Sequence, residues 1–269
     1  RPTIYVTTLI VPDSPDFAHL SPTRTHPMPN PLPIALTATL ALFAAGCSVS
    51  QRDLSVPIRD SHGMAALAQS PALDVQNFRG VVHVRVESGV TQPIVQARAI
   101  NASQHANSPD WVAADLVQDQ GRPVLRVLSV PSSGASDAVY LSIVLPGCSG
   151  VRVRNAGGEV ILTNVSGAVQ VENGGPDAPG GRVVVTTAHN LVDHLALETT
   201  SGDIALTMGA YSAGDISAQA PRGVTFHSKI AGASRVQHQG WRWSGVLNHG
   251  SSPMTLKTGE GKVTIIAGN

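Results

Sequence analysis

The chain has 269 residues, 18 basic residues balancing 18 acidic ones, 26 glycines and 19 prolines. Only 13% of its residues are charged and 4% aromatic, against about a quarter charged in an average soluble domain, so Ser, Thr, Asn, Gln and Gly must dominate the surface. Arginines scattered one at a time and a formal net charge of zero exclude the concentrated basic face that phosphate recognition needs, and with it a nucleic-acid partner.

From the amino end, the first feature is residues 34–45, IALTATLALFAA, an uncharged run that leads into Gly46–Cys47. Its length suits the apolar core of a secretory signal and falls short of the roughly 20 residues of a membrane span. Ala44, Ala45 and Gly46 before Cys47 resemble a bacterial lipobox, in which the cysteine is lipidated and becomes the mature N-terminus. Position 44 is Ala where Leu is usual, and the nearest upstream base is Arg24. Residues 1–27 read as an upstream extension with Met28 as the expected start. Residues 1–46 are thus expected to be an extension plus a lipoprotein-type signal peptide, Cys47 the lipid attachment, and the membrane the partner reached through it. Cleavage near Ala45 that leaves Cys47 a plain thiol, or a retained anchor, are the alternatives. The polar, unpatterned stretch 47–70 is expected to be a flexible tether.

From Leu73 onwards the pattern is strand and turn. No window carries an i, i+3, i+4, i+7 apolar stripe, whereas two-residue alternation recurs. VYLSIVL puts Val139, Leu141, Ile143 and Leu145 on one face, and PVLRVLSV is expected to do the same with Val124, Leu128 and Val130 around Arg126. QDQGRP (118–123) between two such runs predicts a hairpin turn centred on Gly121. Cys148 in LPGCSG is expected as a small buried or turn residue, since a nucleophile would need a nearby His and a polarised setting.

One unit repeats. A glycine is followed at the second and fourth positions by apolar residues in NFRGVVHV (Gly80), NAGGEVIL (Gly158), NVSGAVQV (Gly167), APGGRVVV (Gly181), TTSGDIAL (Gly202) and TGEGKVTI (Gly261). YSAGDISA (Gly214) is a weaker copy and GVTF (from Gly223) an off-register one. Thr199 and Thr258 each stand three places before the glycine of their unit. Anchors from 158 to 214 are spaced 9, 14, 21 and 12 residues apart, so corner lengths differ. Val, Ile and Leu suit a half-buried pleat, and Gly suits a tight bend. Strands this short cannot bury their own face, so they must stack. The expected fold is all-β, a right-handed parallel β-helix or solenoid over 71–269 with an antiparallel strand region at its amino end; a β-sandwich is the alternative.

The order LDVQNFRGVVHV, VYLSIVLP, VRVRNAGGEVILTNVSGAVQVENGG, LALETTSGDIAL and TLKTGEGKVTII is similar to the bacterial "putative adhesin" domain family, a β-helical repeat found on cell-envelope lipoproteins, over roughly residues 70–269. The resemblance implies a solenoid and an envelope location. It carries no catalytic residues, because the family has no shared active site.

Chemistry is thin. His189, Asp193, His194, Glu198 and Asp203 form the richest polar cluster, but LVDHLALE reads as a strand with Leu195 and Leu197 inward and His194 outward, so decoration is expected rather than a metal. Asp203 and Asp215 follow repeat glycines and are expected to serve turns; a stacked pair holding Ca²⁺ is the alternative. Trp241 and Trp243 alternate around Arg242, which predicts both rings on one face, either as a binding surface for sugars or partners or as a cover for the end of the fold. Trp111 is expected in the core or as a cap. NAS (101–103) and NVS (164–166) match glycosylation sequons, which carry little weight in a bacterium. No G-x-S-x-G, P-loop, dinucleotide fingerprint or CxxC occurs, and no cofactor is expected. The expected role is a non-catalytic cell-envelope lipoprotein whose adhesin-like domain binds an envelope protein or glycan. A polysaccharide-active β-helix enzyme and an envelope-stress accessory protein are the alternatives. Three or more charged side chains in one outer groove would keep the enzyme in view, and a face of Ser, Thr and Val alone would exclude it.

Overall fold

Alternation of apolar residues becomes strand almost everywhere it occurs. The computed structural model describes residues 53–60, 70–100, 111–130, 138–175, 178–228 and 233–268, with Ile100 as backbone alone. The extension, signal segment, Cys47 and the sequon at 101–103 lie outside the described residues. The described ones belong to the compact unit Val49–Asn269, and no α-helix occurs among them.

The chain opens with β1 (Leu54–Ser55) and β2 (Ile58–Asp60), then β3 (Ala72–Asn77) and β4 (Gly80–Val86). An excursion follows through β5 (Ile94–Ile100), β6 (Val112–Asp119), β7 (Arg122–Ser129) and β8 (Ala138–Leu145). Short strands then come in pairs: β9 (Gly150–Asn155) with β10 (Gly158–Thr163), and β11 (Ala168–Asn173) with β12 (Gly180–Thr186). Next are β13 (Leu195–Thr199) with β14 (Ile204–Met208), and β15 (Gly214–Gln219) with β16 (Val224–Ser228). A hairpin, β17 (Ala233–Gln239) and β18 (Arg242–Leu247), precedes the closing pair β19 (Pro253–Thr258) and β20 (Val263–Ala267).

These strands form two large mixed sheets, one of nine strands ordered β1-β5-β8-β4-β10-β12-β14-β20-β16 and one of eleven ordered β17-β18-β15-β19-β13-β11-β9-β3-β7-β6-β2. The first strand of each pair lies in the larger sheet and the second in the smaller, and neighbouring pairs are parallel and in register, as in Val169↔Val151 and Val183↔Ile204. Both ends are antiparallel, through β5–β8 and β6–β7 at one and β15–β18–β17 at the other. Chain order and stacking order part company near the carboxyl end: β19 lies between β13 and β15, and β20 between β14 and β16. The last pair to be made is therefore an inner layer.

The inward rows of both sheets share one core. Val82, Val84, Val160, Leu162, Val171, Val183, Val185, Leu197, Val263 and Ile265 are all fully buried, each contributing about 1.5–3 kcal/mol by leaving water. The hairpin turn falls where expected, with Gln120 and Gly121 both at positive φ between Asp119 and Arg122. Cys148 and Trp111 are buried in the core cluster as expected.

Two expectations are corrected. In β7 the buried residues are Leu125 and Val127, while Leu128 and Val130 are exposed; the expected inward face points out. Pairing with β6 sets Leu125 opposite Leu116 and Val127 opposite Ala114, both fully buried. The expected tether also begins to pair early. Leu54–Ser55 joins β5 and Ile58–Asp60 joins β6, because Val56 between them buries its side chain.

Where each larger-sheet strand turns into its partner, the core ends in a column of polar side chains. Asn77, Asn155, Asn173, Thr199 and Thr258 stand in register and are all buried. Asn77 donates to Asn155 Oδ1 (2.9 Å), and Asn155 donates to Asn173 Oδ1 (3.0 Å) and to the Gly80 carbonyl (3.1 Å). Asn173 reaches the carbonyls of Gly158 and Gly181, Thr199 that of Gly181, and Thr258 that of Gly202. The repeat glycines form a second column pressed against this one. A Cβ on Gly158 would lie 2.0 Å from the Gly80 carbonyl oxygen, and one on Gly261 1.9 Å from that of Gly202, so corners stack only without side chains there. The paired polar residue and glycine are the physical content of the repeat, three positions apart at every corner of the column except that of Asn173, where a longer corner puts Gly181 eight positions on.

Candidate functional site

The residue just before each buried Asn or Thr points to the opposite side of its strand, because side chains alternate. In stacking order those residues are Gln76, Arg154, Glu172, Glu198 and Lys257, and Gln219, which precedes the buried Ala220, continues the row on β15; each is the in-register neighbour of the next. The column reads amide, cation, carboxylate, carboxylate, cation, amide. The residue just after each buried Asn or Thr begins the corner, and in the middle of the stack it is small: Ala156, Gly174, Thr200 and Gly259. A charged wall beside a floor of small residues leaves a trough.

One part of it is a hollow of about 480 Å³ lined by Glu172, Glu198, Lys257, Gly174, Thr200 and Gly259. A neighbouring hollow of about 310 Å³ shares Glu172 and Gly174 and continues past Arg154 and Gln76 to Phe78 and Leu128. Among the described residues no ion pair joins Arg154 to Glu172 or Glu198 to Lys257, although all four are strand neighbours. Gln170 donates to Glu172 Oε1 at 2.8 Å. Arg154 Nε is buried without a hydrogen-bond partner. Four charged groups thus line one outer groove with their pairing capacity largely unspent.

The expected tryptophan pair is divided. Trp243 is buried and stacks on Phe226 with ring centroids 4.7 Å apart, closing the end of the core. Trp241 sits in the turn between β17 and β18, 46% exposed, with the Arg242 guanidinium 4.2 Å over its ring. They do not make one platform, because the strand begins only at Arg242 and alternation does not extend back to Trp241.

His189, Asp193 and His194 are exposed while Leu195 and Leu197 are buried, and no group of three metal-ligating side chains occurs among the described residues. Asp203 serves a corner: its Oδ1 accepts the Lys262 backbone N–H at 3.0 Å and its carboxylate pairs weakly with the Lys262 amine. Asp215 lies in the other sheet, opposite Pro253 and Val246, so the stacked Asp203–Asp215 pair is not formed. Cys148 donates to the Gly150 carbonyl (3.2 Å), and burial pushes its thiol pKa up, which rules against a thiolate nucleophile.

No family model and no curated protein matches this chain. Among solved structures, a "putative cell adhesion protein" from Clostridium sporogenes is similar in fold, with a TM-score of 0.53 at 12% identity over 81% of this chain and 99% of that one. A "putative adhesin" from Bacteroides fragilis matches with a TM-score of 0.27 at 12% identity, over 81% of this chain and 95% of that one. At this identity the first likeness speaks for the shared fold of paired sheets.

Proposed function

We propose that this chain is a non-catalytic, adhesin-like binding domain of the bacterial cell envelope, coiled as a β-helix and held to a membrane through a lipid on Cys47. The observation that carries the binding role is the trough: an outer groove whose four charged groups form no ion pairs with one another. The fold likeness to a cell adhesion protein supports the same reading, as does the order of repeat segments shared with the adhesin domain family. Strand pairs that alternate between sheets and stack in parallel support the coil. The apolar run ending in Gly46–Cys47 supports the anchor. An envelope protein or a glycan is the ligand class.

The polysaccharide-active alternative keeps one observation in its favour, since more than three charged side chains do share a groove. Against it, Glu172 and Glu198 are both exposed, whereas a catalytic acid works from a water-poor site that holds its proton at neutral pH. Two measurements test the proposal. Intact mass of the membrane-extracted protein should show a diacylglyceryl increment on a chain beginning at Cys47. Reductive assays on acidic and neutral polysaccharides should show no new chain ends while the protein is retained on envelope material; turnover would replace binding by catalysis.

A further inference from the structure

The charge order of the trough selects a partner more narrowly than "protein or glycan". We propose that it holds an extended peptide segment of a partner protein in which one basic residue is flanked, two positions away on each side, by acidic residues. This rests on the binding role assigned to the trough.

The argument is a comparison of two periods. Adjacent strands lie about 4.8 Å apart, so the six-residue column from Gln76 to Gln219 spans roughly 24 Å. Glu172 and Glu198 are neighbours at its centre, with Arg154 beyond one and Lys257 beyond the other. Measured from the midpoint of the two carboxylates, each cation therefore stands about 7 Å away. In an extended peptide, residues i and i+2 point to the same side and are separated by about 6.7 Å. An acidic–x–basic–x–acidic segment laid along the trough places its ammonium or guanidinium between Glu172 and Glu198. The same placement sets its two carboxylates against Arg154 and Lys257. The small floor residues Gly174, Thr200 and Gly259 leave room for the intervening side chains, and Gln76 and Gln219 offer amides to the backbone at either end. A segment of opposite order, basic–x–acidic–x–basic, meets like charge at every position. A glycan finds less here: Phe78 at one extremity is the aromatic lining the hollows, whereas sugar sites rely on aromatic platforms.

The test uses the full chain carrying Cys47→Ser and two fluorescein-labelled peptides of identical composition and charge, Glu-Ser-Lys-Ser-Glu and Ser-Glu-Lys-Glu-Ser. They differ only in whether the acids share a face with the lysine. Fluorescence polarisation at low salt is expected to show the first binding at least about tenfold more tightly than the second, which corresponds to 1.4 kcal/mol. Raising the salt should weaken binding, because the contacts are exposed. The quadruple variant Arg154→Glu, Glu172→Lys, Glu198→Lys, Lys257→Glu alters only outward side chains. With thermal unfolding confirming its fold, it should prefer Lys-Ser-Glu-Ser-Lys. Equal binding of the two isomers, binding of neither, or tighter binding of an amino-sugar oligomer that the quadruple variant abolishes would each overturn the proposal. In those cases, retention of the native chain but not the variant on envelope extracts would leave the adhesin-like role standing; retention of neither would remove both.

Discussion

The Asn155 side-chain amide donates across 3.0 Å to Asn173 Oδ1 in the layer above, and accepts from Asn77 in the layer below. One side chain thus ties three successive layers at the corner where the core gives way to backbone. Replacing it with alanine strands a buried donor on Asn77 and buried acceptors on Asn173 and Gly80, each costing about 1–3 kcal/mol. Relaxation recovers part of this, and Asn155→Ala is expected to lose about 3 kcal/mol in urea unfolding. A loss below about 1 kcal/mol would show that the ladder is incidental.

Glycine substitutions should separate the two reasons for having glycine. Gly261→Ala brings a Cβ against the Gly202 carbonyl and is expected to cost about 3 kcal/mol, as tight overpacking does. At Gly121 the φ is +78° but nothing lies within 4 Å of an added Cβ, so Gly121→Ala should cost only about 1 kcal/mol of left-handed strain. Paired thermal melts read the difference directly.

The two tryptophans should behave as unlike residues. Trp243→Ala removes a buried ring and its stack on Phe226 and is expected to cost about 3–5 kcal/mol. Trp241→Ala, at an exposed turn, should stay within about 0.5 kcal/mol. The emission that remains in Trp243→Ala should be red-shifted relative to that remaining in Trp241→Ala if the former still folds at low temperature.

Cys148 provides a pH test. Burial raises its pKa in the folded chain, so its thiol stays protonated there at pH values where the unfolded chain has begun to ionise. That contribution to stability is fully present below the unfolded pKa and is lost as pH rises towards the folded one. In a Cys47→Ser background, thiol labelling near neutral pH should be slow when folded and fast in urea, and Cys148→Ala should flatten the alkaline fall in stability.

Removing residues 253–269 tests the stacking order. In a coil wound strictly in sequence, losing the final pair would fray one end. Here it empties the layer between β13–β14 and β15–β16. Hydrogen exchange is therefore expected to show loss of protection throughout β15, β16, β17 and β18, while Leu73, Val82 and Val151 and their neighbours keep theirs. Protection retained at Ile216 and Ala218 would contradict the order.

Much of this was legible in the residues. Glycine followed by apolar residues at the second and fourth positions marked the inward rows of β4, β10, β11, β12, β14 and β20, because a half-buried strand has no other stable pattern. The hairpin at Gly121 was legible from turn chemistry alone. In β7 apolar residues occupy both faces, so alternation could not choose between them. Its face is decided by Ser129, which reaches the buried corner and donates to Asn77. The trough was not legible, since Arg154, Glu172, Glu198 and Lys257 become neighbours only once corners of unequal length are closed and β19 is seated out of turn. Trp241 and Trp243 misled because spacing by two implies one face only inside a strand.

The inner seat of β20 has a consequence for how such a protein can change size. Its two long edges are already occupied by β14 and β16, so no further strand can pair with it, and the open edge of that sheet at this end belongs to β16. A new layer would have to be spliced into the interior, between existing units, or reach across to β16 and the hairpin beside it. Enlarging such a body is therefore a matter of insertion between units, not of simple addition after its last strand.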